Sequence, residues 1–271
     1  MMDNDSPMKA VLVVLLVALV ASSMVSAAVV ILRPIQLNNQ MLDRSRNIMK
    51  ITGLLPGDAA ISDEEMLSLL TSLDARVVDI DAAAFVTGIN PYKFNKRKAA
   101  NDPETSVAVP PELDCANLVR RSSLTPVFLV WNGDELARII LPIHGSGMWA
   151  LMYGYIALEP DLNTIADATF YEQNETPGLG DQITHPGWLA QWQGRKIYDE
   201  HDDLRFAVAR TKVTPGSLSA PYEVDALTGA TITANAVTEI VHYWFSEHGY
   251  RPFLAHLQEQ NPSRPEPPEG T

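Results

Sequence analysis

The chain has 271 residues, enough for a membrane anchor plus one sizeable domain or two small ones. With 46% hydrophobic and 20% charged residues it can bury a real core, and its formal net charge of -13 argues against a nucleic-acid partner. The single cysteine, Cys115, excludes an intrachain disulfide and a cysteine-held cluster, and the six histidines show no metal-binding spacing.

After a short tail (residues 1–9), Ala10 to Leu32 reads AVLVVLLVALVASSMVSAAVVIL, with no charge inside and with Lys9 and Arg33 at its ends. As a helix those residues span roughly 34 Å, enough to cross a bilayer core. A cleaved signal peptide would fit Val25-Ser26-Ala27, but the apolar run continues beyond it through Leu32, which favours an uncleaved anchor. Residues 33–125 form a connector and the first part of a soluble domain. Asn38 to Leu54 has a partial helical stripe of Leu42, Ile48, Met49 and Ile51, stopped by Pro56-Gly57. Ser62-Asp63-Glu64-Glu65 is a capping-box pattern that opens a short helix through Leu73. Val77 to Ile80 reads as a strand, and residues 92–125 as a polar, proline-broken excursion.

Val127 to Trp131 and Leu136 to Ile143 predict a hairpin turning at Asn132-Gly133. Further strands are expected over Gly154 to Leu158, Ile165 to Tyr171 and Leu204 to Ala209. Ile232 to His248 carries Val237, Ile240, Val241, Trp244 and Phe245 at helical spacing, with Gly249 as its stop. Residues 126–250 are thus the core of an α+β domain behind one membrane helix. Residues 251–271 form an extension whose Pro/Glu-rich tail from Asn261 is expected to be disordered.

Three segments carry candidate chemistry. In Asp225-Ala226-Leu227-Thr228-Gly229-Ala230-Thr231, Gly229 permits a tight turn, Ala230 leaves Thr231 uncrowded, and Thr231 falls at a helix start, where unpartnered N–H groups and the helix dipole favour a phosphate. The plainer reading is that Thr228 or Thr231 caps the helix. In Pro142 to Trp149, Gly145 and Gly147 would let a planar ring approach the backbone and Trp149 could stack on it; a glycine-rich turn beside a buried tryptophan reads equally well. In Glu175-Thr176-Pro177-Gly178-Leu179-Gly180, amides near Gly178 to Gly180 could meet the polar edge of a flavin, or form an ordinary surface loop.

In this order, HGSGMWALMYGYIAL, ETPGLG and DALTGAT resemble the FMN-binding domain of the C subunit of the sodium-translocating NADH:quinone oxidoreductase. The anchor and Leu42-Asp43-Arg44-Ser45-Arg46-Asn47-Ile48 resemble that family too, so the likeness runs from the anchor to about Gly249. Asn174 departs from the histidine expected before ETPGLG. The resemblance implies an FMN joined to Thr231 by a phosphoester bond that a flavin transferase makes. It implies electron relay within a multisubunit membrane pump that oxidises NADH, reduces ubiquinone and exports sodium, with no acid, base or nucleophile required of this chain. It also implies a single-pass protein of the bacterial inner membrane with its large domain in the periplasm. The positive-inside rule points the other way, since Arg33, Arg44, Arg46 and Lys50 follow the span, but Lys9 alone gives that rule little to count on the other side. Two other readings are the G subunit of ferredoxin:NAD oxidoreductase (RNF) complexes, which shares the covalent FMN, and an anchored sensor or interaction domain without flavin.

Overall fold

The computed structural model describes residues 7–54 and 62–260. The chain divides into two compact units, residues 1–44 and 45–271. The first holds most of helix α1 (Pro7–Thr52), whose stretch Pro7–Arg33 is long and apolar enough to cross a membrane and is unburied within the chain. The two helical segments expected over 10–32 and 38–54 are therefore one helix, since no glycine or proline pair interrupts the run between them and Pro34 alone does not break it. Pro56-Gly57 and the tail 261–271 lie outside the described residues.

The second unit is built on a six-stranded antiparallel sheet in the order β2-β1-β5-β6-β7-β8. Its strands are β1 (Asp74–Asp79), β2 (Ala84–Val86), β5 (Leu124–Asn132), β6 (Glu135–Ser146), β7 (Leu151–Leu158) and β8 (Ile165–Glu172). Their side chains alternate between two apolar layers, as strand periodicity requires. Val127, Leu129, Ile139, Leu141, Ile143, Met152, Ile156 and Phe170 join the larger core with helices α5 (Thr231–Trp244) and α6 (Arg251–Gln260). Phe128, Val130, Ile140, Tyr155 and Ala157 face the smaller one, with Ile48, Met49 and Ile51 of α1 and Met66 of α2 (Asp63–Ser72). The capping box on α2 is formed: Glu65 N–H donates to Ser62 Oγ at 3.3 Å, and Ser62 N–H donates to Glu65 Oε2 at 3.1 Å.

Several sequence expectations change. The excursion 92–125 contains helix α3 (Lys96–Asn101) and an antiparallel ribbon of β3 (Ser106–Ala108) with β4 (Arg120–Ser122). The hairpin turns at Gly133-Asp134, one residue later than expected, with Asn132 paired to Glu135. Within the expected strand 204–209, β9 (Ala207–Val208) pairs in parallel with β10 (Glu223–Val224), and Leu204 makes an isolated antiparallel bridge to Tyr198. The short helix α4 (Pro186–Leu189) has too few residues to show a periodic stripe in the sequence. Helix α5 ends at Trp244, with Phe245 as its C-cap and not at Gly249. Gly249 instead lets the chain fold back, because a Cβ at this position would lie 2.2 Å from the Trp244 carbonyl oxygen. That return lets α6 bury Phe253, Leu254 and Leu257, so residues 251–260 are a packed helix.

Candidate functional site

Helix α5 starts without a side-chain cap. Its N-cap residue is Ala230, with Thr231 in the first helical position and exposed. Gly229 precedes it with φ +76, a left-handed conformation that favours glycine. The N–H groups of a helix's first turn have no intrahelical partner, so an uncapped start leaves donors and the positive end of the helix dipole beside Thr231.

The other two motif segments meet this helix through Glu175. The Glu175 side chain is buried. Its Oε1 accepts from the Met148 N–H at 2.9 Å and the Trp149 N–H at 3.4 Å, and its Oε2 accepts from the Thr233 hydroxyl on α5. One carboxylate thus ties the Gly147–Trp149 turn to the first turn of α5. Gly147 and Gly180 make room for it: a Cβ on Gly147 would lie 2.4 Å from Glu175 Oε1, and one on Gly180 would lie 2.7 Å from Thr233 Oγ1. A Cβ on Gly229 would lie 2.8 Å from Leu179 Cδ2, so the ETPGLG loop touches the turn before Thr231. Gly178 supplies that loop with a positive φ of +77. Trp149 Nε1 donates to Thr176 Oγ1 at 3.1 Å across the two loops.

The structure therefore brings together Gly147, Trp149, Glu175, Thr176, Gly178, Leu179, Gly180, Gly229, Ala230 and Thr231, with Thr228 exposed just upstream. Two sequence candidates face elsewhere. Gly145 lies inside β6, where a Cβ would lie 2.4 Å from Ile240 Cγ1, so it serves the close packing of α5 on the sheet. Asp225 braces the preceding loop: its Oδ1 accepts from Val213 N–H at 2.7 Å, its N–H donates to Gln191 Oε1 at 2.9 Å, and its carbonyl accepts from Trp188 Nε1 at 2.9 Å. Sequence reasoning missed Thr233, whose signal was a hydroxyl on the apolar face of α5, and the exposed side chains of Met148 and Ile232.

Around Thr231 the surface is unusual for an acidic domain. Met148, Trp149, Leu179 and Ile232 are 46%, 66%, 41% and 57% exposed, and all belong to the convergent segments. By contrast Trp188, Trp192 and Trp244 are buried. An apolar rim beside an anion-favouring helix start suits a ligand with a flat apolar ring and a phosphate. FMN has that shape, and the residues present fit it.

The class these features define is that of FMN-binding domains, and residues 147–246 match the family model described as FMN-binding domain. The chain is 39% identical over 259 residues to the C subunit of the Na(+)-translocating NADH-quinone reductase of Pseudomonas aeruginosa, covering 95% of this chain and 98% of that protein. Identity to the protein of the same name from Vibrio vulnificus is 38% over 259 residues, covering 96% and 98%. The crystal structure of NqrC from Shewanella oneidensis superposes with a TM-score of 0.74 at 29% identity, covering 82% of this chain and 99% of that one. The crystal structure of the corresponding protein from Parabacteroides distasonis gives 0.61 at 28%, covering 82% and 96%. The chain belongs to the C-subunit family of the Na(+)-translocating NADH-quinone reductase, an oxidoreductase complex.

Proposed function

We propose that this chain relays electrons within a Na(+)-translocating NADH-quinone reductase through an FMN esterified to Thr231. Bound FMN would supply the redox chemistry; the chain's own work is to hold and surround it. The observation that carries the reading is Thr231 itself, an exposed hydroxyl at the uncapped start of α5. The helix start stabilises a phosphate at that point. Gly229 leaves the turn before Thr231 without a side chain, and Leu179, Trp149 and Met148 offer apolar surface nearby.

Other hydroxyls nearby are worse candidates. Thr233 is buried and its hydroxyl donates to Glu175. The Thr238 hydroxyl accepts from Val208 N–H at 2.9 Å and donates to the Ala234 carbonyl at 3.2 Å. Thr228 is exposed but lies before the Gly229 turn, away from the first-turn amides.

A separate flavin transferase would form the ester, as the likeness to the C-subunit family implies. Residues 10–32 would anchor the protein once through the inner membrane, with the flavin-bearing domain (core 126–250) in the periplasm and sodium export carried by the assembled complex.

The test is Thr231→Val in the full chain. The ester needs a hydroxyl, so the variant should insert normally and show no flavin fluorescence on a denaturing gel, with stability changed by only about 1 kcal/mol. Thr231→Ser should retain some attachment. Fluorescence persisting in the valine variant, or a flavin peptide mapping to Thr228, would overturn the assignment. Protection of the carboxyl end from external protease in spheroplasts would overturn the periplasmic placement.

A further inference from the structure

The chain carries 33 acidic residues, and among those the structure describes Glu175 is the one whose side chain is buried, at 5% exposure. The buried cation Arg121 shows the usual arrangement, a salt bridge to Asp81. Glu175 takes part in no salt bridge among the described residues. Its oxygens are met by donors without formal charge: the Met148 and Trp149 N–H groups on Oε1 and the Thr233 hydroxyl on Oε2. Both oxygens act only as acceptors, as those of an ionised carboxylate do.

These contacts do not by themselves need the charge. A glutamine in the same place could accept from the two amides through its carbonyl and donate to Thr233 Oγ1 through its NH2. A buried charge without a cation costs more than a buried amide. The positive end of the α5 dipole offsets part of that cost, and what remains is a negative potential centred on the site. Glu175 also stands at the hub of the apolar rim. Met148 and Trp149 are held by Oε1 on one side. On the other, a Cβ on Gly180 would lie 2.9 Å from Glu175 Cβ and 3.0 Å from Oε2, so the Leu179–Gly180 turn packs against the same side chain. Thr233 joins it to the first turn of α5, two residues after Thr231. Both parts of the rim that could carry a ring are thus built on this carboxylate.

We propose that Glu175 sets the reduction potential of the flavin, its buried charge holding that potential below the value the same site would give with a neutral residue at position 175. The proposal rests on the reading that FMN is joined to Thr231. Reduction adds electrons to the flavin, and whatever part of that charge is not matched by protons from solvent is repelled by a nearby fixed anion. The oxidised form is then favoured and the potential falls. A buried unit charge acting across about 10 Å of protein, at an effective dielectric of about 20, changes such an equilibrium about tenfold.

The test uses the full chain in detergent, loaded with flavin, at fixed pH and ionic strength. Peptide mapping locates the flavin, and a spectroelectrochemical titration reads its midpoint potential. Glu175→Gln should keep the flavin and raise the potential, changing the oxidised-to-reduced ratio at a fixed applied potential about tenfold, which is about 30 mV for a two-electron couple. Glu175→Asp keeps the charge and should move the potential less than Glu175→Gln does. Thr233→Val leaves the carboxylate in place but removes a donor that offsets its charge, so the potential should fall; this variant decides the matter if Glu175→Gln does not fold or load. A Glu175→Gln potential equal to the unmutated one overturns the proposal. So does a Glu175→Asp shift as large and as positive as that of the glutamine variant, or a Thr233→Val potential that is unchanged or raised. A flavin peptide that maps away from Thr231 in the unmutated protein overturns the attachment reading and this proposal with it, whereas an unmoved potential with the peptide on Thr231 overturns this proposal alone.

Discussion

The two ends of helix α5 use aromatic residues in opposite ways. At its C-terminal end Trp244 is fully buried, donates through Nε1 to the His144 carbonyl at 2.7 Å, and packs against Tyr250 with centroids 5.2 Å apart. At its N-terminal end, across from Thr231, Trp149 is 66% exposed and its ring N–H donates to a surface threonine. The same residue type is structural in one place and available in the other, and composition alone cannot separate them. What separates them is position: Trp244 lies on the helix stripe that faces the sheet, whereas Trp149 sits in a glycine turn with no layer above it. Met148, Trp149 and Leu179 of the motif segments, with Ile232 just after the third, leave apolar surface where something else can cover it.

Substitutions that strike each end should differ sharply. Trp244→Ala should have the largest effect, about 3–5 kcal/mol of lost stability from the cavity, with the His144 carbonyl also stripped of its donor. Denaturant unfolding in detergent measures it, and a midpoint close to that of the unmutated protein would mean that α5 is not clamped to the sheet there. Glu175→Ala should come next. It leaves the buried Thr233 hydroxyl without its acceptor, at about 1–3 kcal/mol, and takes the acceptor from the half-exposed Met148 amide as well. Hydrogen exchange should rise at Met148 and Trp149 while the β5–β6 pairing stays protected. Uniform protection across both would show that the three segments are held together by something other than this carboxylate.

A smaller effect depends on pH. His144 has a folded pKa below its unfolded one, so the unfolded chain binds more protons in the interval between them and stability falls as pH drops through and below about 6.5. His242, lowered by burial and partly offset by its contact with the Phe206 carbonyl, acts in the same direction. His144→Asn should therefore reduce, without abolishing, the loss of stability between neutral and mildly acid pH. An unchanged slope would show that His144 does not sense this range.

How much is legible in the sequence follows the same division. Local signals are reliable: the Ser62–Glu65 capping box, the β5–β6 hairpin, and the α5 stripe all rest on residues near in sequence. The order of the three motifs along the chain points to a shared site, but their meeting at Glu175 is not legible, because a contact between residues 148, 175 and 233 is set by the sheet that separates them. The β3–β4 ribbon escapes notice for a like reason, its partners Ser106 and Ser122 being joined across a polar stretch with no alternation. Gly145 and Asp225 read as ligand-facing because glycine and carboxylate near a motif invite that reading. Only the packing of Ile240 against Gly145, and the Val213 amide on Asp225, show what they do in this fold.

The smallest effect on stability is the most informative for function. Trp149→Ala removes a side chain that is mostly in solvent, so unfolding should shift by no more than about 0.5 kcal/mol. The Nε1 bond to Thr176 that it loses is exposed and readily replaced by water. If the flavin ring of the proposed ester lies on the Met148–Trp149 turn, however, the same substitution takes away its aromatic neighbour, a contact worth about 0.5–1.5 kcal/mol beyond buried area. The flavin should remain on the denaturing gel, because Thr231 is untouched, while its absorbance maximum or midpoint potential moves. Trp149→Phe keeps an aromatic face and loses only the Nε1 donor, so it should stay close to the unmutated spectrum. An alanine variant whose absorbance and potential match the unmutated protein would place the ring elsewhere on the rim, toward Leu179 and Ile232, and the paired substitutions Leu179→Ala and Ile232→Ala would then be the ones to move it.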